Sequence, residues 1–337
     1  MAPSDEITYA GVFVQNQFQY LQEHDRKNEY YIFSLKKTFT GAIGSIKKYT
    51  SFISKSFMYV KREKFDVIHL HYFFPLAIIP WYFKKTRGTK LIATVHGSDL
   101  YAKMKNPLSR SLFRYILKSY DYIICVGVEL GEDFQKIMHV KPDKILCAGV
   151  NKEIFFPQQV AKDFDFVFVG SLIDRKGFDI VLNVIKQTIA AGFKWCVVGT
   201  GEYRSQIEDI AKNYPSNCQY FERLEQPELN VIFNRSRWMF FPSRNEPFGL
   251  VASESIFAGT PVICSDRGGL KEQVKNDING YIVNDPEDVN ECLYLLNKAY
   301  TLNIAEYDRL AKNCLTSNEQ FSLSFVCGQL EDLYNYI

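Results

Sequence analysis

Two glutamates, Glu246 and Glu254, stand with seven residues between them in the segment Pro-Ser-Arg-Asn-Glu-Pro-Phe-Gly-Leu-Val-Ala-Ser-Glu-Ser. Carboxylates framing a Phe-Gly-Leu turn suit a ligand with hydroxyls at both ends and phosphates between. The preceding run, Trp238 to Phe241, is ended by Pro242 and Ser243 and reads as a buried parallel strand. Val251, Ser255 and Ala258 then recur at helical spacing up to Gly259, a C-cap residue. A strand feeding a helix through such a turn leaves the amides of Phe248, Gly249, Leu250 and Val251 at the positive end of the helix dipole, where phosphate binds. With Glu246 just before the helix and Glu254 two turns into it, a rise of ~1.5 Å per residue sets the carboxylates on the order of 10 Å apart. A nucleoside diphosphate sugar is about that long. Taken alone, two glutamates at this spacing favour the plainer reading, a solvated helix face.

Composition bounds the rest. A chain of 337 residues, 47% hydrophobic, fills two cores of ordinary size. The eight cysteines never come closer than thirteen positions, so they form neither C-x-x-C nor a disulfide framework and read as reduced, buried thiols of a cytoplasmic protein. Met1 to Glu6 has neither the basic stretch nor the apolar core of a signal peptide. The longest apolar run, Phe73 to Phe83, holds two prolines and is too short to cross a bilayer.

The elements that must position the glutamates follow an alternating rhythm. Strand-like runs at Tyr30 to Leu35, Val67 to Tyr72, Leu91 to Val95 and Tyr122 to Val126 are separated by longer helical stretches, as in a parallel α/β sheet. The rhythm restarts at Phe164 to Val169, Trp195 to Val198, Gln219 to Phe221, Trp238 to Phe241 and Pro261 to Cys264.

The spacing of Glu246 and Glu254, with Ala258-Gly-Thr-Pro-Val-Ile263 and Gly268-Gly269 after it, resembles the E-x7-E signature of family 4 glycosyltransferases. The whole segment reverses the plainer reading. The resemblance implies a retaining, metal-independent enzyme of the GT-B fold, an α/β architecture of two facing Rossmann-like domains with parallel sheets. It covers nearly the whole chain and is strongest between residues 164 and 285. It implies that Glu246 binds the transferred sugar and Glu254 the ribose. Ile145 to Val150 then matches the last strand of an N-terminal acceptor domain (1–157), and the C-terminal domain for the nucleotide sugar spans 158–317, with a hinge near 155–163. The final stretch, 318–337, resembles the helix that returns to the first domain.

Further donor residues follow from the same resemblance. Phe166-Val-Phe-Val-Gly170-Ser171-Leu-Ile-Asp-Arg175-Lys176-Gly177 reads as strand, turn and helix start, and two adjacent cations there neutralise a diphosphate. Ser171 replaces the family's usual arginine, Lys176 matches, and Arg175 is expected to supply the guanidinium; a solvated basic turn is the alternative. Gly199-Thr-Gly201 matches a turn in which small residues admit a ligand, though G-x-G alone is a weak signal. Tyr220 to Leu224 aligns with the base-binding segment, with Leu224 on the donor side and Glu222 where the family has glycine. UDP is favoured over GDP as the carrier, and no cofactor or metal is implied.

In the first domain, Leu91-Ile-Ala-Thr-Val-His96-Gly-Ser-Asp99 resembles the family's strand-end histidine motif, which places His96 in the interdomain cleft beside the transferred sugar. A satisfied structural histidine is the alternative. Gly11, His71 and Asp99 are expected on the acceptor side. His69 and His71 share one strand face and read as core or acceptor contacts rather than a metal pair. Asp163-Phe-Asp165 precedes a strand, the wrong end for chemistry. The family's first strand is missing from the N-terminal pattern: either it is absent, or Ile7 to Val14 serves as one. Ala10 to Val14 otherwise looks like the start of a helix with Phe18 and Leu21 on its apolar side. From Ala42 to Val60, Ile46, Tyr49, Ile53, Phe57 and Val60 form an apolar stripe, and Lys36 to Lys64 holds eight basic residues against Glu63 alone. This suits either peripheral contact with anionic membrane or a core-packed helix with a solvated face. Nucleic acid is not expected as a partner, since the net charge is only +2 and no recognition motif appears.

The resulting expectation is a transferase that moves a hexose-type sugar from a nucleotide sugar to a glycan or lipid-linked acceptor in bacterial surface polysaccharide or lipopolysaccharide synthesis. A sugar-nucleotide epimerase, which needs no acceptor, and a non-catalytic nucleotide-sugar-binding protein are the rivals.

Overall fold

The computed structural model describes residues 11–33, 54–58, 63–101 and 106–337. The chain divides into two compact units, Met1–Gly149 with Leu323–Ile337, and Val150–Ser322. Both are parallel α/β layers, as the alternation of apolar runs and amphipathic stretches requires.

In the first unit α1 (Val12–His24) precedes β1 (Val67–His71), α2 (Ile78–Arg87), β2 (Lys90–Val95), α3 (Pro107–Leu117), β3 (Tyr122–Cys125), α4 (Val128–Met138) and β4 (Lys144–Ile145). The strands pair in the order β1-β2-β3-β4, all parallel. β2 is buried from Leu91 to Val95, which accounts for its unbroken apolar run.

The second unit runs β5 (Phe164–Val169), α5 (Phe178–Thr188), β6 (Trp195–Val198), α6 (Arg204–Asn213), β7 (Cys218–Phe221), α7 (Gln226–Arg235), β8 (Ser236–Phe241), α8 (Leu250–Phe257), β9 (Val262–Ser265), β10 (Gly280–Val283), α9 (Val289–Tyr300) and α10 (Ile304–Thr316). Its strand order is β10-β9-β8-β5-β6-β7, parallel throughout. Central β5 and β8 bring Phe166, Phe168, Trp238 and Phe240 to zero exposure. The indole of Trp195 donates to Thr188 Oγ1 at 3.0 Å, so even the bulkiest core ring on β6 leaves no polar atom unpaired. All eight cysteines are buried and unbridged.

The last helix, α11 (Leu323–Tyr336), belongs to the first unit, where Leu323 and Cys327 pack on Leu21 of α1. The boundary therefore falls at Gly149/Val150 and again at Leu323, not at 157/158 and 318. Val150 and Phe155 explain the shift, because both bury in the second unit's core.

Two strand expectations need correction, and one strand was not expected. Tyr30 to Phe33 has no regular structure, and residues 34 and 35 lie outside the described part; Tyr30 is tied down by its hydroxyl on Asp25 and its ring against Tyr334 instead of by a ladder. Ile145 to Val150 is strand only at its start, since Gly149 turns the chain at φ 81° and Val150 makes an isolated bridge to Ser322. The edge strand β10 has no counterpart among the expected strands. Helix α1 does begin just after Gly11, but Gln17 is buried with Leu21, and Phe18 is only half-buried. The missing first strand at residues 1–10 and nearly all of the 42–60 stripe lie outside the described residues.

Candidate active site

The second sheet reverses direction once. From β5 the chain steps out to β6 and β7, returns across the sheet to β8, and continues to β9 and β10. The loops leaving the carboxyl ends of β5 and β8 diverge from that switch point, and this is where an open parallel sheet holds ligands.

Gly170 and Ser171 leave β5, a single turn spans Asp174–Lys176, and Gly177 (φ 70°) starts α5. Lys176 reaches across to the β8 loop and pairs with the Glu246 carboxylate. Both side chains are largely enclosed, at 16% and 10% exposure, and the ammonium lies 5.5 Å from the Phe241 ring centroid. The sequence places these two residues on different parts of a donor; in the structure each is the other's partner. Arg175 is exposed, and its guanidinium makes no contact with an acceptor among the described residues. Only its carbonyl is used, accepting from the Arg244 amide at 3.0 Å and Ser243 Oγ at 3.2 Å.

Arg244, to which the sequence reading gave no role, locks this turn. Its guanidinium binds Asp179 at 2.6 and 2.8 Å, Glu287 at 2.5 and 2.8 Å, and the Asp174 carbonyl. Arg244 thereby holds the Glu287 carboxyl below its usual range. Its position two residues before Glu246 is visible in the sequence, but its three partners come from distant segments.

The loop after Glu246 is shaped from behind. Gly269 N–H donates to the Glu246 carbonyl at 3.0 Å. Gly268 sits at φ 57°, and a Cβ there would lie 1.8 Å from the same carbonyl oxygen, so only glycine fits. Gln273, fully buried, donates through Nε2 to the carbonyls of Phe248, Gly249 and Gly269 and accepts from Ser253 Oγ. With its carbonyls pulled inward, the loop leaves the amides of Phe248, Gly249, Leu250 and Val251 without an acceptor among the described residues, at the start of α8. Gln273 was not foreseen; its amide serves carbonyls twenty-four and twenty-five positions away.

Glu254 lies in α8, half-buried. Burial pushes its carboxyl up to about 8, against the opposing effect of a hydrogen bond from Gln226. On the β6 side, the Gly199 Cβ position lies 1.8 Å from the Gly170 carbonyl, and Gly201 bridges Leu172, so both glycines knit the β5 and β6 turns together. Leu224 is half-buried against the core, while neighbouring Glu222 is exposed and paired with Arg204.

In the first unit His69, His71 and His96 gather at the ends of β1 and β2. His71 Nδ1 and His96 Nε2 are 3.1 Å apart; His69 contacts Tyr334 Oη at 2.6 Å and Thr94 Oγ1 at 2.7 Å. Burial pushes His71 down to about 3, and burial with neighbouring imidazoles holds His69 and His96 well below the usual range, so all three are neutral. They line a small recess with Gln17, Cys147 and Ala148. Asp99 is buried and accepts from the amides of His96 and Phe73, both at 3.2 Å; burial raises its carboxyl to about 6. It braces the histidine loop. Gly11 is buried at the N-cap of α1 with φ 80°. Asp163 and Asp165 serve Arg235 and the Lys194 amide. Among the described residues no group of three or more His, Cys, Asp or Glu is arranged to hold a metal ion.

Two parallel α/β units, one with loop amides left unpaired among the described residues at its switch point, have the architecture of the GT-B glycosyltransferases. The chain belongs to glycosyltransferase family 4: a profile described as "Glycosyl transferases group 1" matches residues 150–316, and one described as "Glycosyltransferase Family 4" matches residues 14–147. It is 29% identical over 270 residues to an uncharacterized glycosyltransferase of Methanocaldococcus jannaschii, spanning 79% of this chain and 73% of that protein. It is 25% identical over 299 residues to N-acetyl-alpha-D-glucosaminyl L-malate synthase of Bacillus anthracis, spanning 83% and 77%. Among solved structures, the sucrose-phosphate synthase of Thermosynechococcus elongatus superimposes with a TM-score of 0.79 at 19% identity, over 98% of this chain and 94% of that one. Anabaena HepE in complex with UDP and glucose gives 0.76 at 13% identity, over 100% and 98%.

Proposed function

We propose that this glycosyltransferase moves a hexose-type sugar from a nucleoside diphosphate sugar to a glycan or lipid-linked acceptor with retention of configuration, serving bacterial surface polysaccharide or lipopolysaccharide assembly. The observation that carries the donor site is the Lys176–Glu246 pair at the switch point, beside the amides of Phe248 to Val251. An arriving diphosphate competes for the Lys176 ammonium, which releases the Glu246 carboxylate to accept sugar hydroxyls. Arg175 adds a forked charge from the exposed turn, and Glu254 takes the ribose. UDP is the favoured carrier, in keeping with the UDP named for HepE and for the pneumococcal O-GlcNAc transferase GtfA.

In the transfer the acceptor hydroxyl oxygen bonds to the anomeric carbon on the face from which the phosphate oxygen departs. The carbon–oxygen bond to phosphate breaks, and the acceptor's proton passes to the leaving oxygen. Lys176, Arg175 and the loop amides stabilise the charge that develops there, without a divalent ion in this reading. His96 is kept toward the transferred sugar, with Gly11 and His71 on the acceptor side, on the family resemblance alone. The enzyme would work in the cytoplasm, peripherally at the inner face of the membrane; no described helix is long and apolar enough to cross one.

Thermal-shift titration with UDP-, GDP- and ADP-sugars tests the donor site. Stabilisation by a UDP-sugar that persists in EDTA and disappears in Arg175→Ala/Lys176→Ala is expected. An unmoved transition with every nucleotide sugar would sink the assignment.

A further inference from the structure

Helix α3 is apolar on both sides. Phe113, Ile116 and Leu117 bury inward, as a helix flanking a sheet should. The outward face carries Leu108, Leu112 and Tyr115, at 81%, 50% and 59% exposure. Spacings of four and three place them on one stripe. The stripe continues onto α2, where the Trp81 ring meets Tyr115 edge-on at 6.4 Å and Ile78 is exposed.

Charge around the stripe is mostly basic, although Lys84 and Lys90 pair with Asp121 and the adjacent α4 carries Glu129, Glu132 and Asp133. Between Val67 and Tyr120 the sequence holds nine lysines and arginines and a single acid, Asp99, which is buried. Lys85 lies over the Trp81 ring at 5.4 Å, and Lys118 is exposed at the end of α3. On the adjacent α4, Glu132 and Asp133 are within 4.0 and 3.7 Å of Lys136. Exposed leucines flanked by Trp, Tyr and Lys match the headgroup boundary of a bilayer, where rings and long cationic chains bridge the apolar and wet layers. A stable dimer fits less well. Five side chains cover on the order of 500 Å², short of the roughly 800 Å² per partner such interfaces need, and lysine is depleted there.

We propose that the outer face of α3, with Ile78 and Trp81 of α2, docks on an anionic lipid bilayer, Leu108, Leu112 and Tyr115 entering the headgroup–acyl boundary while Lys85 and Lys118 meet lipid phosphates. It rests on the lipid-linked-acceptor part of the function above, yet binding to vesicles does not depend on the chemistry.

The test is co-sedimentation of the full chain with phosphatidylcholine vesicles, with and without about one third phosphatidylglycerol. Binding to the anionic vesicles, weakened about tenfold or more by Leu108→Asp/Leu112→Asp and by Lys85→Glu/Lys118→Glu, and weakened by salt, is expected. These positions are exposed, so circular dichroism and the nucleotide-sugar thermal shift should match the parent chain. No anionic-vesicle binding, or equal binding by both double variants, overturns the proposal. So does a concentration-dependent dimer in analytical ultracentrifugation that Leu112→Asp abolishes, because the face would then belong to a second copy. Loss of nucleotide response with vesicle binding intact would instead strike the donor-site reading and leave the lipid surface standing.

Discussion

Arg175 and Lys176 are adjacent cations with opposite structural status, which makes them separable by experiment. Arg175 is exposed with no side-chain acceptor among the described residues, so Arg175→Ala should leave stability within about 0.5 kcal/mol while weakening nucleotide-sugar binding roughly tenfold. Lys176 is paired with an enclosed carboxylate, and Lys176→Ala should cost on the order of 3 kcal/mol in urea unfolding, because Glu246 is left unpaired. The double variant Lys176→Ala/Glu246→Ala should be destabilised less than the sum of the single ones; additive losses would mean the pair is not coupled. Glu246→Gln should lower turnover by about 10²-fold with a smaller change in donor affinity, whereas Glu254→Ala should mainly weaken nucleotide binding. Glu254 has a further signature. Its folded value of about 8, above the ordinary 4.5, means that folding favours the protonated form, so its contribution is whole below the ordinary range and fades as pH rises through 8. Glu254→Gln cannot ionise, and its melting-temperature advantage over the parent chain should widen from pH 5 to pH 9; a constant difference would show that this carboxyl titrates normally.

At the scale of elements, the proposed donor loop depends on a helix turn packed behind it. Gln273→Leu keeps the volume but strands two loop carbonyls and the Ser253 hydroxyl, each costing about 1–3 kcal/mol when buried without a partner. Donor affinity should fall together with stability, since the amides of Phe248 to Val251 lose their orientation. Gly268→Ala should act on the same loop by collision with the Glu246 carbonyl. Hydrogen exchange offers the check: both variants should speed exchange across 246–254 while β5 and β6 keep parental protection. Acceleration spread evenly through the unit would point to global destabilisation instead.

For the molecule as a whole, the two units should respond to different solutes. A nucleotide sugar at about 100 times its dissociation constant stabilises whatever binds it by ~2.7 kcal/mol, and protection should appear in residues 150–322. Acid should act on the first unit. Its three half-buried histidines have folded values below the ordinary 6.5, so the unfolded chain binds more protons. Their contribution is complete above about pH 6.5 and is lost as pH falls, by up to ~1.4 kcal/mol per pH unit for each. Asp99, raised to about 6, works in the opposite direction between pH 6 and 3.8 but is one group against three. Fluorescence-detected unfolding between pH 7 and pH 5 should show decreasing stability, and His69→Asn/His71→Asn should flatten the slope; an unchanged slope would place the acid sensitivity elsewhere.

The sequence by itself determined the class of fold, most of the central strands, and the identity of the donor-site candidates. Burial on both faces forces β2, β5, β6 and β8 to be apolar along their length, and a phosphate turn requires glycine and cations next to a helix start. Both demands are local and leave local marks. Tertiary structure alone decided that Lys176 meets Glu246, that Arg244 locks the turn through Asp174, Asp179 and Glu287, and that Gln273 aims the loop amides. It also decided that Asp99 braces a loop and that the chain changes units at Val150. Those contacts join positions as much as seventy residues apart, where the strand order, not spacing along the chain, sets which side chains meet.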